Sequence, residues 1–149
     1  MQFWPSDHWR HIVATTLNLT VNASPEAVWH SLTQPEAIKR WVTNPGRWRC
    51  TDCHSDFLEG GYFTLQLIGE SGGWSASVKG HFGQIKPYQS VTFSIDGGQR
   101  AAIMMQVAGS QVACQCTLSG ATQLASGHSH NVLMQRFKDY TEKRFAQQQ

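Results

Sequence analysis

Long apolar runs are missing from this sequence of 149 residues, and so is a strong charge of either sign. No stretch approaches the roughly 20 apolar residues that span a bilayer, and the first residues lack the charged and apolar segments of a secretion signal. The 12 basic and 10 acidic side chains are scattered and leave a formal net charge of +2. These absences predict a cytoplasmic protein with no membrane insertion and no nucleic-acid partner.

The chain does contain enough apolar and aromatic residues for a packed core. Hydrophobic residues make up 40% of it, with Phe 7, Trp 6 and Tyr 3. This length fits one domain, and such a domain buries roughly 70% of its unfolded surface. We therefore predict a single domain over residues 1–149, with residues 1–11 as an N-terminal extension and residues 147–149 as a frayed tail.

Four cysteines form two close pairs, Cys50 with Cys53 and Cys114 with Cys116. Cys50 to His54 has the C-x-x-C-H spacing of covalent haem attachment, which needs an exported chain. The two pairs together supply the four thiolates of a zinc site. The second pair, however, lies in a strand-like run on an apolar face, where free thiols behave as small hydrophobes. We therefore prefer buried, unreactive thiols and expect no metal and no cofactor.

The first third of the chain predicts one strand followed by two short helices. Apolar and polar residues alternate over residues 17–21, which is the period of a half-buried strand. Ser24, Pro25 and Glu26 are typical of a helix start and predict a helix over residues 25–32. A second start follows at once and predicts another short helix, which ends before the turn at residues 44–46.

The rest of the chain predicts further strands and one long helix. Alternating runs separated by Gly-containing turns predict antiparallel strands with one apolar face, over residues 49–57, 62–67, 74–82, 91–95, 103–107 and 112–118. Apolar residues at helical spacing predict an amphipathic helix over residues 129–145. The predicted fold class is α+β, with a curved antiparallel sheet wrapped on the long C-terminal helix and two short helices after the first strand.

A curved sheet around one helix leaves room at its wide end, where the two short helices would form a lid or rim. Pockets of this kind are mostly apolar, with a few polar groups that orient the ligand. The inward positions supply such a lining, and they suit a plain packed core as well. The candidate ligand-binding residues are Trp29, Trp41, Leu65, Trp74, Phe82, Ile103, Met105, Met134 and Phe137.

The order of these elements and the residues at their joints resemble a known family. The matching segments are residues 17–29 for the opening strand and helix, 32–36 with Arg40 and Trp41 for the second helix, 56–63 for an acidic residue and a double-glycine turn, and 78–80, 85–87 and 91–93 for the middle strands. The chain thus resembles the START-like (SRPBCC, helix-grip) superfamily, in the branch of homologues of the C-terminal domain of a heat-shock chaperone ATPase activator. The resemblance implies a sheet that grips the final helix over a hydrophobic cavity.

Two positions depart from that family pattern. Val42 stands where the family usually has a second tryptophan, and Ser129 with His130 stands where it usually has Gly-Trp. If His130 replaces that ring, a titratable imidazole points toward the cavity and orients a polar ligand group. We therefore add His130 to the candidate ligand-binding residues, with solvent exposure at the helix start as the alternative.

No catalytic constellation is recognisable in the sequence. Asp52, Asp56 and Glu59 lie near His54, but no Ser/His/Asp set and no phosphate-binding loop can be assembled. We therefore assign no catalytic residue and favour binding of a small hydrophobic or amphipathic molecule. The alternatives are a chaperone-interacting module, which the resemblance implies, and a START-like cyclase or hydrolase that uses His130 or the residues around His54.

Overall fold

The computed structural model describes residues 14–119 and 127–146 of the chain. In chain order its elements are β1 (Ala14–Val21), α1 (Pro25–Thr33), α2 (Pro35–Val42), β2 (Trp48–Ser55), β3 (Tyr62–Gly69), β4 (Ser75–Lys86), β5 (Ser90–Ile95), β6 (Gln99–Ala108), β7 (Gln111–Ser119) and α3 (Gly127–Ala146). The predicted extension over residues 1–11 and the predicted tail over residues 147–149 lie outside the described residues. Within the described ranges, no helix is both long and apolar enough to cross a membrane.

The seven strands form one antiparallel sheet in the order β1-β7-β6-β5-β4-β3-β2. The first two strands of the chain are therefore the two opposite edges of the sheet. The chain passes from one edge to the other through α1 and α2, on the face that carries the buried core. We call this the inner face and the opposite one the outer face. The curled sheet with its C-terminal helix confirms the predicted α+β helix-grip fold.

The two short helices begin where their capping residues predict. The hydroxyl of Ser24 accepts a hydrogen bond of 3.1 Å from the N–H of Ala27, and Pro25 opens α1 without leaving a donor unpaired. Pro35 opens α2 in the same way. Helix α1 ends at Thr33, one residue beyond the prediction, and α2 ends at Val42.

Strand β2 contains a bulge that places both of its cysteines on the inner face. The register shifts between Cys50 and Asp52, so one extra residue enters the strand there. Cys50 pairs with Leu67, and Cys53 pairs with Leu65. Residues three positions apart normally face opposite sides of a strand, and the extra residue brings these two to the same side.

Two strand boundaries differ from the predicted ones. Strand β2 ends at Ser55 because the N–H of Asp56 bonds the carbonyl of Tyr62, and the chain turns there. Phe57, predicted as the last residue of the strand, therefore lies in the connection to β3. Strand β4 begins at Ser75, just after Trp74, and continues to Lys86.

Helix α3 lies along β1 and the two short helices. Lys138 Nζ donates 2.6 Å hydrogen bonds to the carbonyl of Thr20 and to Oε2 of Glu142, which also accepts the N–H of Asn22 at 2.7 Å. Partial burial opposes ionisation of Glu142, but these hydrogen bonds outweigh it and hold the pKa of the carboxyl below its ordinary value. The C-terminal helix is thus fastened to the end of β1.

The buried core lies between α3, the short helices and the inner face of the sheet, and most of its sheet residues are on β6 and β7. Phe137 is 1% exposed, and its ring meets that of Trp41 edge-on at 5.5 Å between centroids. The indole N–H of Trp41 donates to the carbonyl of Ser31 at 2.9 Å, which satisfies the only polar atom of that side chain. From the sheet, the core receives Val21, Cys50, Val91, Ile103, Met105, Val112, Cys114 and Cys116.

Candidate functional site

The inner face is covered over β6 and β7 and half exposed over β3 and β4. On β6 and β7 most inward side chains, such as Ile103 and Cys114, are buried, whereas Val107 beside the β6–β7 hairpin is exposed. On β3 and β4 the inward side chains Leu65, Leu67 and Phe82 are only half buried. The same alternation therefore produces a closed region and an open one.

We call the open region the apolar groove. It consists of the half-buried apolar side chains that pack against the edge of the core from β2 to β5, from α1 and α2, and from the β2–β3 connection. These residues are Trp29, Ile38, Cys53, Phe57, Leu65, Leu67, Val78, Phe82, Ile85 and Phe93. A continuous apolar surface of this kind on an inner face is typical of a ligand site.

A series of aromatic contacts closes one end of the groove. Trp29 of α1 meets Phe57 edge-on at 5.9 Å between ring centroids, and Phe57 meets Phe82 edge-on at 5.0 Å. Phe82 contacts Phe63 at 5.2 Å. The ring of Phe63 lies over Gly80, where an added Cβ would come within 2.5 Å of the ring. Glycine at position 80 is therefore what lets these rings pack against the strand.

The other end of the groove lies at the β3–β4 hairpin. The indole of Trp74 covers Gly69, where an added Cβ would lie 2.5 Å from Nε1. Gly69 follows Leu65 and Leu67 at even spacing, so Trp74 lies on the inner face. Its side chain is 46% exposed. Tryptophan therefore stands at both ends of the groove, as Trp29 and as Trp74.

One polar group lies at the groove without a partner. Ser55 pairs with Phe63 on the inner face, in line with Cys53, and its buried hydroxyl has no hydrogen-bond partner among the described residues. An unpaired buried hydroxyl is costly, and this one is covered by neighbouring atoms. A polar atom of a bound molecule would reach it only after those neighbours move.

The thiols in and near the groove are not activated. Burial raises the pKa of Cys53 to about 12, with smaller contributions from Cys50, Asp52 and Glu36. Burial also raises the pKa of Cys50. A thiol is nucleophilic or ligates a metal as its thiolate, so these groups behave as apolar side chains.

The two cysteine pairs do not form one four-sulfur site. Cys50 and Cys53 lie on an edge strand, whereas Cys114 and Cys116 lie on β7, and four other strands separate β2 from β7. Burial raises the pKa of Cys114 to about 11 and that of Cys116 to about 12. None of the four cysteines is part of a disulfide, and within the described residues no three His, Cys, Asp or Glu side chains are grouped to hold a metal ion.

The structure divides the candidate ligand-binding residues into four sets. Three of them, Trp29, Leu65 and Phe82, belong to the apolar groove. Trp74 stands at the hairpin end. Those in the closed core are Trp41, Ile103, Met105, Met134 and Phe137. The backbone of His130 belongs to α3, and its side chain lies outside the described part of the structure.

Sequence reasoning missed several groove residues. Phe57 was assigned to a strand, and Tyr88 to a turn, although their rings contact Trp29 at 5.9 and 5.6 Å. Tyr88 is an aromatic residue in a short turn, next to Pro87, and this unusual placement could have indicated a contact with the groove. Ile38, Ile85 and Phe93 showed only the apolar periodicity that every core position shares.

The acid and histidine concentration on β2 faces away from the groove. His54 pairs with Thr64 and lies between the inward-facing Cys53 and Ser55, so its exposed ring is on the outer face. There it lies 5.8 Å from the ring of Tyr62. The imidazole of His54 therefore points away from a molecule held in the groove.

A curled antiparallel sheet that holds its last helix, with two short helices between the first two strands, defines the helix-grip class of α+β proteins. The family model described as Activator of Hsp90 ATPase homolog 1-like protein matches residues 22–141, and the chain belongs to this family. No curated protein matches the chain significantly.

Solved structures with the same fold have low sequence identity to this chain. A protein from Nitrosomonas europaea has a TM-score of 0.77 at 18% identity, with 89% of this chain and 96% of that chain covered. The AHSA1-like protein from Aeromonas hydrophila has a TM-score of 0.75 at 20% identity, with 87% and 94% covered. A protein from Rhodobacter sphaeroides has a TM-score of 0.75 at 18% identity, with 93% and 99% covered. These likenesses establish the fold.

Proposed function

We propose that this protein binds a small hydrophobic or amphipathic molecule in the apolar groove, between the sheet and the two short helices. The observation that carries the proposal is that inward side chains of β3 and β4 such as Leu65, Leu67 and Phe82 are only half buried, whereas Ile103 of β6 and Cys114 of β7 are buried. A folded protein normally covers such a surface with its own side chains. A bound molecule would cover the apolar side chains of β3 and β4 that the protein leaves partly exposed.

The chemistry of the groove favours an apolar guest with few polar atoms. Each apolar Å² that a guest removes from water contributes roughly 25 cal/mol. The aromatic rings of Trp29, Phe57 and Phe82 add edge and face contacts. If binding uncovers the unpaired hydroxyl of Ser55, that group would add one polar interaction, which would favour an amphipathic molecule over a pure hydrocarbon.

Neither a cofactor nor a metal is part of this proposal. The thiols at the groove are held neutral, and the imidazole of His54 faces outward. Four cysteines outside any disulfide fit a reducing compartment, and we propose the cytoplasm as the place of action.

A fluorescence titration with 1-N-phenylnaphthylamine, an uncharged apolar probe, tests the proposal. Leu65→Asn places an amide in the middle of the groove, and we expect it to weaken binding by about tenfold or more, which corresponds to about 1.4 kcal/mol. Ile68→Asn is the matched control, because Ile68 is a half-buried aliphatic residue of the same strand on the outer face. We expect the control to bind the probe as the unmodified protein does.

Two results would contradict the proposal. One is the absence of a saturable fluorescence change in the unmodified protein. The other is equal weakening by Leu65→Asn and Ile68→Asn, since the loss would then reflect general destabilisation of β3. Denaturant unfolding of both variants measures that destabilisation directly.

A second candidate function is an interaction with a chaperone ATPase, which the description of the matching family favours. It predicts that the purified chain alters the ATPase rate of an Hsp90-type chaperone. No effect on the rate, together with no binding in a pulldown, would exclude it. The Leu65→Asn variant separates the two functions, because a groove defect leaves a chaperone interaction through another surface intact.

A further inference from the structure

The turn between β4 and β5 contains a residue in a conformation that its side chain disfavours. Tyr88 has φ +63°, and it is the one non-glycine residue with positive φ in the part of the chain that the structure describes. The N–H of Gln89 donates to the carbonyl of Lys86 at 2.9 Å, so Pro87 and Tyr88 are the two central residues of a β-turn. Proline at the first central position with positive φ at the second is the type II pattern, in which glycine usually takes the second position.

The strained backbone presents the ring of Tyr88 to Trp29. The two ring centroids lie 5.6 Å apart with an interplanar angle of 36°. Trp29 belongs to α1, whereas Tyr88 belongs to the turn between two groove strands, so the pair joins the helical side of the groove to the sheet. Tyr88 is 51% exposed, and its ring therefore stands at the solvent boundary of the groove.

The strain at Tyr88 lies in its backbone, whereas the contact with Trp29 is made by its side chain. Rotation of the peptide plane between Pro87 and Tyr88 would give a type I turn with negative φ at Tyr88, but it would leave the neighbouring Cα atoms and side chains nearly in place. Separation of the two rings therefore requires rotation of the Tyr88 side chain to another rotamer. Because the ring is 51% exposed, solvent can accommodate that rotation.

We propose that Tyr88 and Trp29 form a clasp at the end of the apolar groove, and that rotation of the Tyr88 side chain away from Trp29 opens it to admit an apolar guest. Tyr88 is a positioning residue in this scheme, because it holds Trp29 in place and sets the rate of access. The part that concerns a guest rests on the proposed function, whereas the clasp itself does not.

The clasp is tested first without any ligand. The protein is labelled with 5-fluorotryptophan, and its ¹⁹F signal for Trp29 is assigned by its loss in Trp29→Phe. Tyr88→Asn removes the ring but tolerates positive φ, and Tyr88→Phe keeps the ring. We expect the Trp29 signal to move and to gain a solvent isotope shift in Tyr88→Asn, with the Trp41 signal unchanged. Tyr88→Phe should keep the native signal.

Access is tested by stopped-flow mixing with 1-N-phenylnaphthylamine. If the open arrangement is the minor one, loss of the clasp raises the association rate constant by about fivefold or more. Tyr88→Phe should match the unmodified protein. A change confined to the dissociation rate would mean that Tyr88 only contacts the guest, and would overturn its role in access.

The outcomes separate this proposal from the proposed function. An unchanged Trp29 signal in Tyr88→Asn overturns the clasp. A changed signal with an unchanged association rate overturns its control of access while groove binding stands. If no variant binds the probe, the proposed function fails and access control fails with it, and the ¹⁹F signal still decides whether the clasp exists.

Discussion

The two halves of the inner face have the same alternating sequence pattern, but their inward side chains are not buried to the same extent. On β6 and β7, Ile103 and Cys114 are buried in the core that contains Phe137 of α3. On β3 and β4, Leu65 and Phe82 alternate just as regularly and are half exposed. Helix α3 lies along β1 and the short helices. Alternation thus determines which face a side chain occupies, and the position of one helix determines whether that side chain is covered.

The largest expected effect comes from removing a ring in the closed half. Phe137→Ala should lower the free energy of unfolding by about 3–5 kcal/mol, because a fully buried ring leaves a cavity. Phe93→Ala, in the apolar groove, should cost less than half as much because its ring is already half exposed. Urea unfolding measures both. Equal losses would show that the two halves are packed alike.

A smaller loss is expected where the groove rings pack against the sheet. In Gly80→Ala the new methyl group would meet the ring of Phe63 and the carbonyl of Ser94. Such overpacking costs about 1–3 kcal/mol. Gly73→Ala is the control, because its nearest neighbour is the hydroxyl of Ser71 at 3.9 Å and its φ is not positive. If Gly80→Ala unfolds at the same urea concentration as Gly73→Ala, the described position of Phe63 is wrong.

A gain in stability is expected at a buried hydroxyl of the closed half. Ser31 is 0% exposed, and its Oγ has no hydrogen-bond partner among the described residues. Ser31→Ala should therefore raise the unfolding free energy by about 1 kcal/mol. Ser24→Ala in the same helix should lower it by a similar amount, about 1 kcal/mol, because its hydroxyl caps α1. Thermal unfolding distinguishes the two signs, and a loss in both would contradict the assignment of Ser31.

The smallest effect is a difference in thiol labelling rates. Cys53 in the groove is half buried, whereas Cys114 and Cys116 are buried in the closed half. Iodoacetamide should modify Cys53 first, as mass spectrometry of peptides would show. Because burial raises the pKa of Cys53 to about 12, its thiolate fraction and its labelling rate should still rise about tenfold per pH unit between pH 8 and 10. A plateau near pH 9 would mean an ordinary, solvated thiol.

The fold was more predictable from the sequence than the site. Ser24, Pro25 and Pro35 act through local backbone chemistry, so the starts of both short helices were predicted at the right residues. The alternation around Leu65 and Ile103 gave the sheet. Neither signal reports which strands the last helix covers, since that depends on contacts between distant segments. Trp41 and Phe137 were therefore placed in the candidate site, although they lie in the closed core.

Two features of the groove could not be predicted from the sequence, for a different reason. The bulge in β2 brings Cys53 to the inner face, and no residue in that segment predicts a bulge. Tyr88 occupies a position at which a type II turn usually has glycine, so the turn preference did not predict its conformation. Residues that break local rules are where tertiary contacts decide the conformation.

The pairing of β1 with β7 has a consequence for the synthesis of this protein. Thr16 and Thr117 lie opposite each other, 101 positions apart in the chain. A ribosome that adds roughly 5–20 residues per second leaves β1 without its neighbour for on the order of 5–20 s. Throughout that interval, Leu17, Leu19 and Val21 form an unpaired apolar segment of the growing chain. Pairing of β1 within the sheet must therefore wait until β7 has been synthesised, and molecular chaperones have their longest opportunity to act at this strand.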